Sequence, residues 1–288
     1  MKKAKFFALL SGILFGISTP VSKIFLNSGV NPLYLASFTY LGAGSGLFLY
    51  NMFLNRSVKF QNPLDKKDLP YLITMVSADI LAIIFLMLGL KYTNSANASL
   101  LSNFEIVATS AVAFLFFKEK ISKKLFISVI LIVLASIILT WEGINAFHFQ
   151  TGSIMVLIAY CLWGLENNCT RMLSNKNTVE ITIIKGVFAG LGSLVIAILH
   201  NANLPKIDYI LAILITGFLC YGFSVNLYIL AQRTLKAVLT ASYFAFNPYF
   251  AIIFSLIILK EQLTINFYVA LLIMIIAMVI IYKDNFKN

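Results

Sequence analysis

"LFGISTPVSK" (14–23) and "LWGLENNCTR" (162–171) can be laid over one another by a shift of 148 residues. Gly16 then meets Gly164, and Lys23 meets Arg171. The same shift carries "GAG" (42–44) onto "GLG" (190–192). Further along, a shift of 142 carries "FEIVATSAVAFLFFKEKIS" (104–122) onto "FNPYFAIIFSLIILKEQLT" (246–264), so that Lys118-Glu119 meets Lys260-Glu261. Offsets this consistent across several apolar stretches mark an internal repeat, with halves at 1–145 and 146–288.

What surrounds the repeat sets the protein class. The chain of 288 residues is 60% hydrophobic and only 11% charged, against about 25% charged in soluble domains. Mean hydropathy is +0.91. Ten apolar segments, at roughly 6–26, 33–54, 69–90, 97–118, 121–140, 151–172, 178–200, 206–231, 237–259 and 264–283, approach the ~20 residues that cross a bilayer as a helix. The expected fold is an all-α integral membrane protein of ten transmembrane helices. The basic, apolar start "MKKAKFFALLSGILFGIS" resembles a leader, but its apolar run continues to Leu26 without a small-x-small ending, so it reads as a retained first helix.

Lysine and arginine set the orientation. With the N-terminus inside, seventeen of the 22 fall in inside segments, and only Lys91, Lys206 and Lys260 fall outside. Lys23 and Lys185 lie within spans. Both termini are expected on the cytoplasmic side of the inner membrane. The net charge of +11 therefore reads as a topology signal facing lipid headgroups rather than as a nucleic-acid footprint. Because five helices per half is odd, the second half enters the membrane from the opposite side. The expected design is two inverted five-helix repeats, which secondary transporters use to open one midplane site to either side.

Charges inside spans are functional candidates. Counting at about 1.5 Å per residue puts Glu166 some six residues from the inner end of its helix and Lys185 some seven from the inner end of the next. They are expected to pair, either as a switchable pair or as a fixed ion pair joining the two helices. Glu105 and Asp79 fall within about a turn of each other in depth, as candidate proton carriers or as packed, hydrogen-bonded side chains. Under the repeat, Glu166 corresponds to Ser18, Lys185 to Ser37, Glu105 to Asn247 and Asp79 to Tyr221. The charges are not duplicated, as selective recognition would require.

Asn167 joins this polar arc, and Asn168 reads as helix–helix glue. Tyr243 and Asn247 are four apart and share a helix face. Arg171 and Lys23 are repeat counterparts, read either as snorkelling cations or as a gate. Tyr40, Trp163, Tyr221 and Tyr228 line a cavity or pack in the core. Pro20 and Pro248, inside spans, are expected to kink their helices. Cys161, Cys169 and Cys220 have no metal spacing, and no cofactor or metal site is expected.

Together, the ten segments in two halves, the acidic residues in "FFKEKIS" and "ILKEQLT", and the "WG" plus basic residue of the sixth segment carry a resemblance. The chain is similar over its whole length to ten-helix EamA-type members of the drug/metabolite transporter superfamily. The segments "IKG" (184–186), "CYGFSVNLYILAQR" (220–233) and "YFAFNPYF" (243–250) resemble one bacterial subgroup. The resemblance implies export or exchange of small-molecule metabolites, often driven by ion gradients. No P-loop, HExxH or GxSxG pattern occurs, so neither ATP-driven transport nor an enzyme is expected. The expected function is a secondary transporter of small polar or amphipathic metabolites, an exporter by alternating access, with protons as a candidate coupling ion. An uncoupled facilitator and a structural membrane subunit are the alternatives. Oligomeric state stays open.

Overall fold

Proline, asparagine and serine punctuate the helix starts in a computed structural model that describes residues 2–54, 64–118, 121–141, 150–173, 176–232, 244 and 246–285. Helix α1 (Lys2–Asn27) runs through Pro20 and ends at Gly29, whose φ of 85 turns the chain. Then follow α2 (Pro32–Leu54), α3 (Leu69–Tyr92), α4 (Ser95–Leu101), α5 (Phe104–Phe117) and α6 (Lys123–Thr140). The rest comprises α7 (Thr151–Met172), α8 (Thr178–Leu199), α9 (Ile207–Thr216), α10 (Ser224–Gln232), α11 (Asn247–Phe254) and α12 (Ile265–Asn285). Asn94, Ser122 and Asn177 cap α4, α6 and α8 by accepting hydrogen bonds from first-turn amides. Every element among the described residues is helical.

Three expectations about continuity change. The segment at 97–118 is two helices, interrupted at Ser102–Asn103. There Ser102 Oγ donates to Ser99 O (2.7 Å) and Asn103 Nδ2 to Leu100 O (3.0 Å), side-chain bonds that compete with the backbone ladder. The segment at 206–231 opens into a π-helical turn, Gly217–Phe223, between α9 and α10. A Cβ at Gly217 would come within 2.0 Å of Thr39 O, and one at Gly222 within 2.6 Å of Ala43 O, so the widened turn lies on the backbone of α2. Pro248 sits in the first turn of α11 rather than mid-helix, where its missing N–H costs no bond, and the expected kink at that residue is not needed. A second π turn, Ser255–Leu259, extends α11.

Among the described residues, seven helical runs are long and apolar enough to cross a membrane: 2–27, 69–92, 95–116, 123–140, 179–199, 207–228 and 265–283. Helices α2 and α7, which carry "GAGSG" and "ENN", are not among them. Large apolar side chains such as Phe116, Leu199, Ile257 and Ile265 point outward, as a lipid-facing surface requires. Inside, Leu35, Ile83, Met87, Leu90, Leu100 and Phe267 are fully buried.

The packing partners form matched sets. Helix α3 lies along α7, and α1 lies along α10 with its π turn. Helix α5 also packs on α7, and α11 on α1; α2 pairs with α8, and α6 with α12. Lipid offers no hydrophobic force to join helices, so close backbone approach has to do it. A Cβ on Gly44 would fall 2.5 Å from Val187 N, and one on Gly186 2.5 Å from Gly44 N. Gly89 and Gly152 meet in the same reciprocal way.

At one end of the bundle Lys23 Nζ donates to Leu90 O (2.7 Å) and Thr93 O (2.6 Å), tying α1 to the end of α3. Nearby, Glu261 accepts from the amides of Ser95 (2.7 Å) and Ala96 (2.9 Å) at the start of α4. Lys176, following α7, meets Asp68 (3.0 Å) and Asp65 (3.5 Å), just before α3. The Asp65 amide, and then Lys176, hold the Asp68 carboxyl below the usual carboxylate range.

Gly186→Val should collide with the α2 backbone and lower stability by about 1–3 kcal/mol or more. Thermal unfolding in detergent measures this; a melting temperature equal to that of the native protein would remove the α2–α8 glycine contact from the account of the fold.

Candidate functional site

Five helices deliver polar side chains to one place inside the bundle. Asp79 is fully buried in the middle of α3, and Glu166 is buried on α7. Lys185, from α8, reaches both: its Nζ is 3.0 Å from Glu166 Oε1 and 3.4 Å from Asp79 Oδ2. The depth count anticipated the Glu166–Lys185 contact but not the third member. Asp79 was matched in depth to Glu105, and the structure joins it to Lys185 instead.

The remaining Asp79 oxygen is held by aromatic donors. Tyr40 OH donates to Asp79 Oδ1 (2.9 Å), as does Trp163 Nε1 (3.0 Å), and Trp163 also reaches Tyr40 OH (3.3 Å). The sequence singled out Tyr40 and Trp163 only as aromatics. Their polar ends were the missed signal, because a buried hydroxyl or indole N–H seeks an acceptor. Thr170, also missed, donates to Glu166 Oε1 from one turn further along α7; the i, i+4 spacing marks such a partner.

Glu105 stands beside this triad in the first turn of α5, where a carboxylate favours the helix dipole. Asn167 Nδ2 donates to its Oε1 at 2.5 Å. Helix α7 therefore offers two successive residues to different carboxyl groups: Glu166 faces Lys185, and Asn167 faces Glu105. Asn168 turns away and bonds Gly164 O (2.8 Å) and Thr109 O (3.1 Å), the latter on α5, which is the geometry of helix–helix glue.

The other sequence candidates fall at varied places. Ser18 is buried on α1, donates to Phe15 O (2.6 Å) and lies within hydrogen-bonding range of Tyr221. Tyr221 sits on the π turn with its ring 6.0 Å from that of Tyr40. Asp79 and its repeat counterpart Tyr221 thus flank the same tyrosine. Ser37, counterpart of Lys185, donates to Gly190 O (3.0 Å) and binds α2 to α8. Asn247 is half-buried at the first position of α11. Arg171 is exposed in the last turn of α7, and Lys23 sits at the opposite end of the bundle from Lys176. Neither Arg171 nor Lys23 touches the triad. Tyr243 lies outside the described residues. Among the described residues, no three His, Cys, Asp or Glu side chains converge closely enough to hold a metal ion.

A charged, hydrogen-bonded interior walled by long apolar helices defines a multi-pass membrane protein. The pattern of the EamA-like transporter family matches residues 2–141 and again residues 150–283, and the chain belongs to that family. It is 28% identical, over 95% of its own length and 84% of the relative's, to an "uncharacterized transporter" of Methanothermobacter thermautotrophicus. An "uncharacterized transporter" of Clostridium kluyveri is 24% identical over 100% of this chain and 95% of that one. A solved crystal structure superposes with a TM-score of 0.68 at 14% identity, covering 96% of this chain and 95% of the other, and shares the fold. The protein is a membrane transporter, with a small-molecule solute as its cargo.

Lys185→Met leaves Asp79 and Glu166 buried without their cation and should cost about 3 kcal/mol or more. Adding Asp79→Asn and Glu166→Gln should restore most of that loss, as read from thermal melts of the single and triple variants. If the single variant is as stable as the native protein, the ion pairs do not hold α3, α7 and α8 together.

Proposed function

We propose that the chain is a secondary transporter that moves small polar or amphipathic metabolites across the cytoplasmic membrane, as a proton-coupled exporter working by alternating access. The observation that carries this reading is the position of the triad. Lys185 joins Asp79 and Glu166, with Glu105 beside them, near the middle of helices drawn from both halves. Ionisable groups at that depth are costly and mark ion or substrate pathways.

An inverted repeat of 1–145 and 146–288, with both termini cytoplasmic, supplies the moving parts in this reading. Several features support it. The family pattern matches twice along the chain. Contacts between the two halves come in matched couples, α3–α7 with α10–α1 and α5–α7 with α11–α1. Helices α5 and α11 begin at Phe104 and Asn247, neighbouring positions under the shift of 142, and both lead to a left-handed lysine, Lys118 (φ 52) and Lys260 (φ 51). Interrupted helices whose ends face a midplane site are a recurring transporter device.

In this scheme Glu166 and Lys185 exchange a proton or a solute for their mutual contact, Glu105 and Asp79 carry protons, and Asn167, Asn247, Tyr243 and Ser18 line the path. Lys23 and Arg171 gate opposite ends. The contacts of Lys23 with α3 and of Glu261 with α4 support closure at the outer end.

Purified protein in liposomes, given an imposed pH gradient and a panel of amino acids, amines and nucleosides, tests the proposal. Gradient-driven flux is expected, and Glu105→Gln and Glu166→Gln should each reduce it to the level of protein-free liposomes. Flux that ignores the gradient would make the protein an uncoupled facilitator. A folded protein that moves none of the panel would favour a structural membrane subunit.

A further inference from the structure

Where α5 turns back into α6, the bundle has a cleft that the transport scheme does not use. Its volume is about 560 Å³, and Phe114, Ile121, Lys123, Phe126 and Ile127 line it. Clefts of ~300–1,000 Å³ accept ligands. The two legs of this hairpin are drawn to different neighbours: α5 packs on α7, and α6 on α12. Phe114, Phe126 and Ile127 are exposed, and so is Ile130, which continues the face of Phe126 one turn along α6. The cleft is therefore apolar where it meets the lipid-facing surface.

One edge of the cleft is cationic. Helix α6 opens with Lys123-Lys124 directly after its cap Ser122, and no acidic residue occupies its first turn. Lysines there oppose the helix dipole, whose N-terminal end is already positive. Lys118, the left-handed residue that closes α5, is exposed just before the turn. Among the described residues, no carboxylate forms an ion pair with Lys118 or Lys123. The hairpin itself does not require this charge. Under the shift of 142, Lys118 corresponds to Lys260, also left-handed, and α6 and α12 begin at the corresponding residues Lys123 and Ile265. The second hairpin thus makes the same turn with Ile265-Asn266 in place of Lys123-Lys124. In the orientation that the lysine count predicts, the first hairpin faces the cytoplasm. That accounts for lysines on this side of the membrane; it does not account for their place on the rim of an apolar cleft.

We propose that the cleft binds an anionic phospholipid of the adjoining leaflet. One acyl chain lies between α5 and α6 against Phe114, Phe126 and Ile127, and the headgroup phosphate meets Lys118 and Lys123. Basic pockets between membrane helices hold anionic headgroups by this chemistry. A zwitterionic lipid would bring its own ammonium to the lysines, and a soluble anion would leave the apolar wall uncovered. Helix α5 also carries Glu105 and the Thr109 carbonyl that receives Asn168. The bound lipid therefore shares a helix with the polar interior, whatever solute the protein moves.

Native mass spectrometry of the full-length, delipidated protein in a neutral detergent counts bound lipid directly. Dioleoylphosphatidylglycerol should bind about tenfold more tightly than dioleoylphosphatidylcholine, the scale set by lysines near a membrane surface. Lys118→Gln combined with Lys123→Gln should bring the two lipids to nearly equal affinity. Ile127→Trp fills the cleft and keeps both lysines, so it should lower the occupancy of both lipids. Lys260→Gln, at the counterpart turn, should leave binding at the native level. Equal binding of the two lipids by the native protein overturns the headgroup assignment, as does a native preference in the double lysine variant. Undiminished occupancy in Ile127→Trp removes the acyl chain from the cleft. A loss in Lys260→Gln as large as in the double variant makes net charge, not the cleft, responsible, and the proposal falls. Full displacement of phosphatidylglycerol by inorganic phosphate overturns the lipid assignment in favour of a soluble anion. None of these outcomes bears on the transporter reading, which liposome flux tests separately.

Discussion

Lys185 holds two carboxylates from two different helices in a place where water cannot do so. Taking charges out of water costs several kcal/mol per ion, and only close pairing with full hydrogen bonding offsets it. Around this constraint the rest of the interior is arranged. Tyr40 and Trp163 are turned inward because Asp79 needs donors, and Thr170 because Glu166 does. Helices α2, α3, α7 and α8 are thereby given fixed rotations about their own axes. Apolar packing alone, between helices that are greasy on nearly every side, would leave those rotations poorly specified.

The same constraint explains why so polar a helix as α7 belongs in a membrane protein. Its inner side packs on α3 and α5, and its Glu166, Asn167 and Asn168 each find a separate partner. An isolated helix with this sequence would be a poor span. Within the bundle it is the element through which charge from α8, carboxyl groups from α3 and α5, and the backbone of α5 are joined.

Much of this was legible in the chain itself. Apolar run length gave the class, and consecutive antiparallel spans made the depths of Glu166 and Lys185 comparable by counting. Of the residues that carried the resemblance to EamA-type transporters, Trp163 and Lys185 lie in the site, whereas Arg171 and Glu261 do not. Asp79 as the third partner was not legible, because α3 is not adjacent in sequence to α7 or α8 and depth alone does not report azimuth. Nor was the break at Ser102–Asn103, since serine and asparagine are tolerated inside apolar helices and reveal their competing bonds only in three dimensions. The π turn at Gly217–Phe223 was hidden for a similar reason: its glycines answer to the backbone of α2, far away along the chain.

The glycine contact between α2 and α8 has a mechanical meaning. Gly44 and Gly186 bring main chain against main chain, with no side chains between to unlock or slide past one another. A contact of that kind resists translation in every direction, because any approach is a collision and any separation opens a void that lipid cannot fill. It does permit turning about the point of touch. Helix α2 lies early in the chain and α8 late, so in the alternating-access scheme proposed above this contact would be the bearing about which the two parts of the chain turn.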